Sequence, residues 1–416
     1  MIPDRTRRRV LIVAINYAPE LSGTAPYTTA MAEHLAEKHD VTAVVGMPHY
    51  PSWRVADGYR GRMFATERRK SVLVVRRGHY VPTRQSALQR AAYEGTFVLS
   101  ALTALPRIRR PDAILGIVPS LNGAVLARLF AARFRMPYGL LFHDLMGQAA
   151  VQSGITGGSP VRRMTTWLEG SAARRAALVA TVAERFFPYM VDLGVDPSRL
   201  VHVPNWTHIG PSTADREKTR ANLGWAREFV VLHAGNMGLK QHLEQVIAAA
   251  AAVPTGGAGQ RLRFVLMGDG SQRRRLEGLA QGVTGIDFMD SVGDRAYSDT
   301  LAAADLLLVS ERPSAIEMSL PSKLTSYFVA GRPVLAAVPP EGATAREVER
   351  AGGGVVVPAG DTAAMLAAIA ALAADPEARA RFSANAQQYA QSSLRAPDAL
   401  ERVDAFIDRL VATRSP

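Results

Sequence analysis

Short, continuous runs of apolar residues recur along the whole chain, and stretches with helical periodicity separate them. Thirteen of these runs predict strands: residues 10–15, 41–45, 72–76, 113–118, 138–142, 178–182, 200–203, 229–233, 263–267, 286–289, 305–309, 333–338 and 354–357. Strands that are apolar on both faces, with helices between them, are typical of parallel sheets covered on both sides. We therefore predict an α/β protein built from doubly wound parallel sheets.

The chain of 416 residues is long enough for two such domains, and its two halves open alike. "VLIVAINYAPELSGTAPYTTAMAEHLAE" and "VVLHAGNMGLKQHLEQVIAAAAA" each run from a strand through a glycine-bearing turn into a helix. Because ligands bind beyond the carboxyl ends of parallel strands, we expect both turns to face one central cleft. Pro, Gly, Ser and Thr cluster at residues 204–220, which places the predicted domains at 1–208 and 209–396. An amphipathic helix at 397–414 packs either on the second domain or back on the first.

Composition narrows the class of protein. Hydrophobic residues make up 48% of the chain and charged residues 21%, as in ordinary globular proteins. No apolar stretch approaches the ~20 residues of a membrane span, and the short apolar run after Arg9 lacks the features of a signal peptide, so we expect a cytoplasmic protein. The chain has no cysteine, which excludes disulfides, thiolate metal sites and cysteine nucleophiles.

The net positive charge of the chain comes entirely from its first half. Residues 1–208 carry 27 Lys and Arg against 14 Asp and Glu, whereas the rest of the chain carries 22 against 23. This asymmetry predicts a polyanionic partner such as an anionic membrane surface or a phosphorylated substrate, although solvated surface charge is an equal alternative. No basic helix with interleaved aromatics and no recognition motif is present, which disfavours nucleic acid.

The first glycine turn offers a polar approach to the backbone. It lacks the G-x-G-x-x-G fingerprint of dinucleotide binding, since Gly23 stands alone. Gly23 allows a ligand to come close, Ser22 and Thr24 supply hydroxyls, and the following helix presents free N–H groups. The alternative is a plain strand-to-helix connection with a proline in the first helical turn.

The second half repeats this arrangement. In "LHAGNMGLKQHLEQVI", Gly235 frees the backbone while Asn236 and Lys240 supply donors for an anion, although Lys240 could equally be solvated. Gly268 lies at the end of the next strand, most simply in a turn.

The densest polar stretch is residues 310–338, which place Glu317 and Lys323 between a buried strand and a helix. A lysine can neutralise a departing phosphate, and a carboxylate can hold sugar hydroxyls. The alternative is a surface ion pair worth under about 1 kcal/mol. His143 ends another buried strand and is either a ligand for a sugar or an ordinary polar residue. Neither a metal-binding pattern nor a Gly-x-Ser-x-Gly nucleophile elbow is present.

Taken together, these segments resemble a known family over nearly the whole chain. The family is the family 4 glycosyltransferases of GT-B fold, with two Rossmann-like domains, and in particular their exopolysaccharide branch. The resemblance rests on "NYAPELSGTAPYTTAMAEHLA", "MPHYPSWRV", "HDLMGQAA", "VPNW", "GNMGLKQHLEQVI", "MGDGSQRRRLEGLA" and "MSLPSKLTSYFVAGRPVLAAV".

The resemblance implies a retaining, metal-independent hexosyltransferase without a cofactor. A nucleotide-sugar donor would bind mainly to the second domain and a glycan or polyprenyl-diphosphate-linked acceptor to the first. Glu317 would match the first acidic residue of the family's Glu-x7-Glu motif, Lys323 would lie near the diphosphate, and His143 would contact the transferred sugar. The implied donor-binding residues are Ser22, Gly23, Thr24, Gly235, Asn236, Lys240, Gly268, Ser322 and Ser326.

The chain departs from the family pattern in two places. Ser326 replaces the second glutamate of the motif, which in relatives holds the ribose, with one extra residue in the spacing. Asn236 and Gln241 stand where relatives have Arg and Lys, which leaves Lys240 one position away. The missing glutamate keeps open a non-catalytic sugar-nucleotide-binding scaffold. A sugar-nucleotide epimerase of the same fold is the other alternative, disfavoured because no clear pair of acid/base carboxylates is present.

Residues 84–110 combine an apolar helical pattern with basic ends. This combination is expected of a peripheral surface that docks on anionic lipid at the inner face of a membrane. An ordinary core helix with solvated ends fits the same pattern.

Overall fold

The computed structural model of the chain describes residues 7–21, 23–82, 86–118, 120–145, 158–207, 209–253, 261–314 and 322–413. Contacts between residues divide the chain into two compact units. The first comprises Met1–Asn205 together with Ala396–Pro416, and the second comprises Trp206–Arg395.

An eight-stranded sheet forms the centre of the first unit, in the order β3-β4-β2-β1-β5-β6-β7-β8. Its strands are β1 (Arg9–Val13), β2 (Asp40–Gly46), β3 (Phe64–Arg69), β4 (Val72–Arg77), β5 (Ala113–Val118), β6 (Tyr138–Phe142), β7 (Leu178–Thr181) and β8 (Leu200–His202). Every neighbouring pair is parallel except β3 and β4. Buried apolar side chains fill β1 and β5 from end to end apart from Arg9, which confirms the prediction of strands covered on both faces.

Strand β3 is the one strand of this sheet that the sequence does not predict. Its residues FATERR carry three charges and are mostly exposed. It pairs antiparallel with β4, from Phe64 opposite Arg77 to Arg69 opposite Val72. A search for continuous apolar runs misses it because an edge strand with one solvated face needs no such run.

Helices connect the strands of the first unit. They are α1 (Ala25–Lys38), α2 (Ala87–Leu102), α3 (Leu121–Phe134), α4 (Gly158–Arg175) and α5 (Phe187–Asp192). Helix α3 contacts both α2 and α4, so these three lie side by side. Helix α1 begins where the sequence predicts, with Thr24 as N-cap and Pro26 in its first turn.

The second unit is built on a six-stranded sheet in the order β11-β10-β9-β12-β13-β14, in which all pairs are parallel. The strands are β9 (Glu228–Ala234), β10 (Arg261–Met267), β11 (Ile286–Met289), β12 (Leu306–Ser310), β13 (Val334–Val338) and β14 (Gly354–Pro358). The helices are α6 (Arg216–Asn222), α7 (Glu244–Ala252), α8 (Arg273–Leu279), α9 (Asp294–Ala303), α10 (Ser322–Ala330), α11 (Ala343–Ala351), α12 (Thr362–Ala374) and α13 (Pro376–Ser393).

Two separate apolar clusters cover the two faces of this second sheet. Along β9, Val230 and Leu232 belong to one cluster, while Phe229 and Val231 belong to the other. Successive strand residues point to opposite faces, so this alternation places a core on each side. The predicted doubly wound α/β architecture is confirmed.

The chain ends in α14 (Ala396–Ala412), which packs within the first unit. Asp404 pairs with Lys38 and His34 of α1, and Asp408 pairs with Arg8 at 2.7 Å. Phe406 lies against Gly139 of β6 so closely that an added Cβ would stand 2.6 Å from its ring. Across the described ranges, no helix is long and apolar enough to cross a membrane.

Candidate functional site

Two glycine turns lie side by side at the carboxyl edge of the second unit's sheet. The turn after β9 begins at Gly235, whose N–H donates to Met267 O at 2.8 Å. Two residues later, Met237 N donates to Asp269 O at 2.8 Å. The turn after β9 is therefore hydrogen-bonded along its length to the turn after β10.

Only glycine fits where these two turns meet. Gly268 has a φ of +137°, and a Cβ added to it would stand 2.0 Å from Gly235 O. Gly270 has a φ of +157°, and a Cβ there would stand 2.6 Å from Asn236 Oδ1. Side chains rarely adopt such backbone angles, so the sequence Gly-Asp-Gly is required here by close packing of two backbones.

Asn236 and Gln241 shape the first of these turns. Gln241 Oε1 accepts a hydrogen bond from Gly238 N at 3.0 Å and lies 3.5 Å from Asn236 Nδ2. Lys240 Nζ lies 4.0 Å from Glu311 Oε1, at the carboxyl end of the neighbouring strand β12. The three polar residues of this turn therefore organise the loop itself as well as offering donors.

Lys323, the second residue of α10, lies beside Gly235. A Cβ added to Gly235 would be 3.4 Å from Lys323 Cε. Lys323 Nζ lies 3.1 Å from Nε2 of His233, the penultimate residue of β9. Burial lowers the pKa of Lys323 to about 7, Glu311 acts against that shift and Lys240 adds to it. Lys323 therefore places an amine at the edge of the two glycine turns, and its pKa depends on the charges around it.

Two predicted donor-binding residues, Ser322 and Ser326, and the predicted catalytic residue Glu317 belong to the segment in and just before α10. Ser326 lies within the helix and is 1% exposed. Ser322 begins the helix, and its side chain lies outside the described residues. Glu317 also lies outside them, in the interval 315–321. The catalytic role of Glu317 stays a prediction.

The first unit carries its own glycine turn at the carboxyl end of β1. Gly23 has a φ of +67°, and a Cβ there would lie 3.0 Å from the Tyr50 ring. Thr24 caps α1, and its Oγ1 is buried without a hydrogen-bond partner among the described residues. Ser22 lies outside the described residues.

His143 follows β6 at the same edge and is 6% exposed. Its ring lies 5.8 Å from that of Tyr27, centroid to centroid. Burial lowers the pKa of His143 to about 4, and the side chain of Asn205 acts against that shift. The imidazole is therefore neutral near pH 7, and within the described chain its Nε2 has no hydrogen-bond partner.

Sequence reasoning missed two buried polar groups near these turns. Glu20 accepts hydrogen bonds from His49 N at 2.7 Å, Tyr50 N at 2.9 Å and Asn16 Nδ2 at 2.9 Å, and so fixes the loop after β2. His233 is fully buried beside Lys323. The available signals were a single acidic residue in the loop after the first strand and a lone histidine in the apolar run FVVLH.

Comparison with known proteins gives the family. Residues 22–206 match the family described as Glycosyl transferase 4-like domain, and residues 228–375 match Glycosyl transferases group 1. WcaI of Escherichia coli (strain K12), named as a colanic acid biosynthesis glycosyl transferase, is 31% identical over 337 residues, which are 78% of this chain and 81% of WcaI. The chain belongs to the glycosyltransferase family.

Solved structures show the same fold as this glycosyltransferase. Sucrose-phosphate synthase from Thermosynechococcus elongatus has a TM-score of 0.77 and 18% identity, and the match covers 98% of this chain and 100% of that one. HepE of Anabaena, solved in complex with UDP-glucose, has a TM-score of 0.70 and 18% identity over 97% of this chain and 100% of its own. The fold is GT-B, as the resemblance implied.

Proposed function

We propose that this glycosyltransferase moves a hexose from a nucleotide-sugar donor to a glycan or polyprenyl-diphosphate-linked acceptor during exopolysaccharide or envelope assembly. The reaction retains the anomeric configuration and requires neither a metal ion nor a cofactor. The observation that carries the proposal is the joined pair of glycine turns with Lys323 beside them. A glycine turn that lets a ligand come close, with a cation beside it at the carboxyl edge of a parallel sheet, suits a diphosphate.

The comparisons support this donor and pathway class. HepE was solved with UDP and with UDP-glucose, and WcaI is named for colanic acid biosynthesis. A mycobacterial relative, 35% identical over 117 residues that make up 27% of this chain, is named as a GDP-mannose-dependent mannosyltransferase. Uridine and guanosine diphosphate sugars are therefore the first donors to test.

In this proposal the second unit holds the diphosphate of the donor. Lys323 binds the diphosphate, and the other donor-binding residues of this unit are Gly235, Asn236, Lys240, Gly268, Ser322 and Ser326. Ser22, Gly23 and Thr24, at the glycine turn of the first unit, stay predicted donor-binding residues. Glu317 holds the donor sugar, and neutral His143 accepts or donates a hydrogen bond to the sugar that is transferred.

Ligand binding is tested first by thermal shift against UDP, GDP, ADP and their common hexose conjugates, because a ligand bound to the native state raises its stability. One nucleotide should raise the melting temperature selectively. Labelled-sugar transfer in the presence of EDTA then tests the reaction, and NMR of the product tests retention at the anomeric carbon. Isomerised nucleotide sugar without transfer would identify an epimerase, and binding without either reaction would identify a scaffold.

Glu317 is tested by Glu317→Ala, which should abolish transfer while nucleotide binding persists. Glu349→Ala is the matched control, because Glu349 is an exposed glutamate on α11 of the same unit. Transfer by Glu317→Ala at the rate of the control would remove that carboxylate from the mechanism.

We propose further that the first unit docks on anionic lipid at the inner face of the membrane. Leu88 and Leu99 of α2 are 82% and 69% exposed, and Ala91 and Gly95 complete the same exposed stripe at helical spacing. Just beyond this helix follow the exposed residues Arg107, Arg109 and Arg110. An apolar stripe beside a basic cluster complements an anionic interface.

Docking is tested by sedimentation with vesicles of phosphatidylglycerol and phosphatidylcholine. The protein should bind the anionic vesicles, and the bound fraction should fall as salt rises. Leu88→Glu combined with Leu99→Glu should abolish binding, whereas Leu279→Glu should not, because Leu279 is an exposed leucine of the second unit. Equal binding by all three proteins would refute this surface.

A further inference from the structure

His233 is a fully buried histidine near the end of β9, and its tautomer is fixed by its surroundings. Its Nδ1 lies 3.2 Å from Leu308 O on the neighbouring strand β12. A carbonyl oxygen only accepts hydrogen bonds, so Nδ1 carries the hydrogen. In the neutral ring, Nε2 is then an acceptor.

Lys323 supplies the donor for that acceptor. Its ammonium has three donors and no acceptor, so the 3.1 Å contact runs from Nζ to Nε2. Charged groups also face Lys323 from two other elements, Lys240 from the turn after β9 and Glu311 from the end of β12. Glu311 accepts a hydrogen bond from Thr344 at 3.2 Å and lies 4.0 Å from Lys240 Nζ. Among the described residues, therefore, a neutral imidazole rather than a carboxylate holds the ammonium directly.

We infer that His233 is the positioning residue for Lys323, and that the pair takes up a proton when a diphosphate binds beside Gly235. This inference rests on the proposed function and deepens it, since it names a residue that sets how the anionic part of the donor is held. His233 acts through Lys323 and does not itself touch the donor.

Electrostatics gives the direction of the proton uptake. Burial and the charge of Lys323 hold the pKa of His233 well below its usual range, against the opposing effect of the Asn236 and Leu308 backbone. The pKa of Lys323 is lowered to about 7, so part of the free protein has a neutral lysine at neutral pH. A diphosphate favours the charged form and raises that pKa. Nucleotide affinity should therefore weaken as the pH rises above 7.

The titration of Lys323 can be followed directly, because the chain has only five lysines: Lys38, Lys70, Lys218, Lys240 and Lys323. Full-length protein labelled with ¹³C at lysine Cε gives one signal for each, and Lys323→Arg identifies the signal of interest. Lys323 should titrate near pH 7. A Lys323 signal that does not move between pH 6 and pH 8 would overturn the inference.

Three variants separate positioning from general stability. His233→Phe keeps a ring but removes the acceptor, and should shift the Lys323 titration by more than about half a pH unit. His233→Gln restores an acceptor oxygen and should move the titration back toward that of the parent. Phe229→Leu, a core change at the start of the same strand, is the control and should leave it unchanged.

Calorimetry with UDP and with GDP, in buffers of different ionisation enthalpy, supplies the second readout. When the nucleotide binds at pH 8, the protein should take up close to one proton. His233→Phe should weaken nucleotide affinity by roughly tenfold, because a hydrogen bond to a charged group is lost. If the nucleotide binds without proton uptake, and binds His233→Phe as tightly as the parent, the inference is refuted and the proposed function stays intact. Failure of both nucleotides to bind counts against the proposed function, while the lysine titration still decides the role of His233.

Discussion

The contact between the two glycine turns of the second unit predicts an unequal response to one substitution at two sites. Gly268→Ala places a Cβ 2.0 Å from Gly235 O at a φ of +137°. The strained backbone costs about 1–3 kcal/mol, and relief of the overlap costs about another 1–3 kcal/mol. Gly278 lies ten residues further on in α8, is exposed, and has no heavy atom within 4 Å of an added Cβ. Gly278→Ala should instead stabilise the protein by about 0.5–1 kcal/mol, because alanine is the better helix former.

Differential scanning calorimetry of the full chain tests this pair. In a domain of this size each kcal/mol shifts the melting temperature by roughly 2–4 °C, so a 3 kcal/mol loss in Gly268→Ala corresponds to roughly 6–12 °C. The displaced turn should also weaken nucleotide binding, since Gly235 lies beside Lys323. Gly278→Ala should melt slightly above the parent and bind normally. Melting of both variants within 1 °C of each other would show that the two turns do not pack as described.

Two further substitutions test the first unit. His143→Gln should make the free energy of unfolding less dependent on pH between 6.5 and 4. In that range the imidazole is protonated in the unfolded chain but stays neutral in the folded protein, because its pKa there is about 4. Urea unfolding at pH 4 should show a difference of up to about 3 kcal/mol. An unchanged slope would place His143 in solvent. Gly139→Ala should displace Phe406 and loosen α14, which limited proteolysis would detect as faster loss of the C-terminal helix than in the parent.

Most strands could be predicted from the sequence because they share one feature, apolar residues along their whole length. All thirteen predicted runs overlap observed strands, since a strand buried on both faces must be apolar throughout. Strand β3 lacks this feature because it lies at the sheet edge. The packing of α14 on β6 depended on a long-range contact between Phe406 and Gly139, which no local pattern encodes.

The candidate site was predictable in its loops but less so in its electrostatics. Gly235 and Gly268 lie in the turns that the strand-to-turn pattern predicts, whereas Lys323, predicted between a strand and a helix, is the second residue of α10. His233 was read as part of an apolar strand, because its partner Lys323 is 90 residues away. The cost of burying Lys323, and hence its lowered pKa, depends on the surroundings that folding creates.

The choice of lysine at position 323 follows from those surroundings. An arginine cannot lose its proton in a protein, so at this position it would need a permanent counter-charge. The nearby carboxylate of Glu311 is already engaged by Thr344 and lies close to Lys240. A lysine can donate a hydrogen bond to neutral His233, or lose its proton, when no anion is bound. On the proposed function, the diphosphate then supplies the missing counter-charge, so the same residue that is costly to bury in the free protein becomes favourable once the donor is bound.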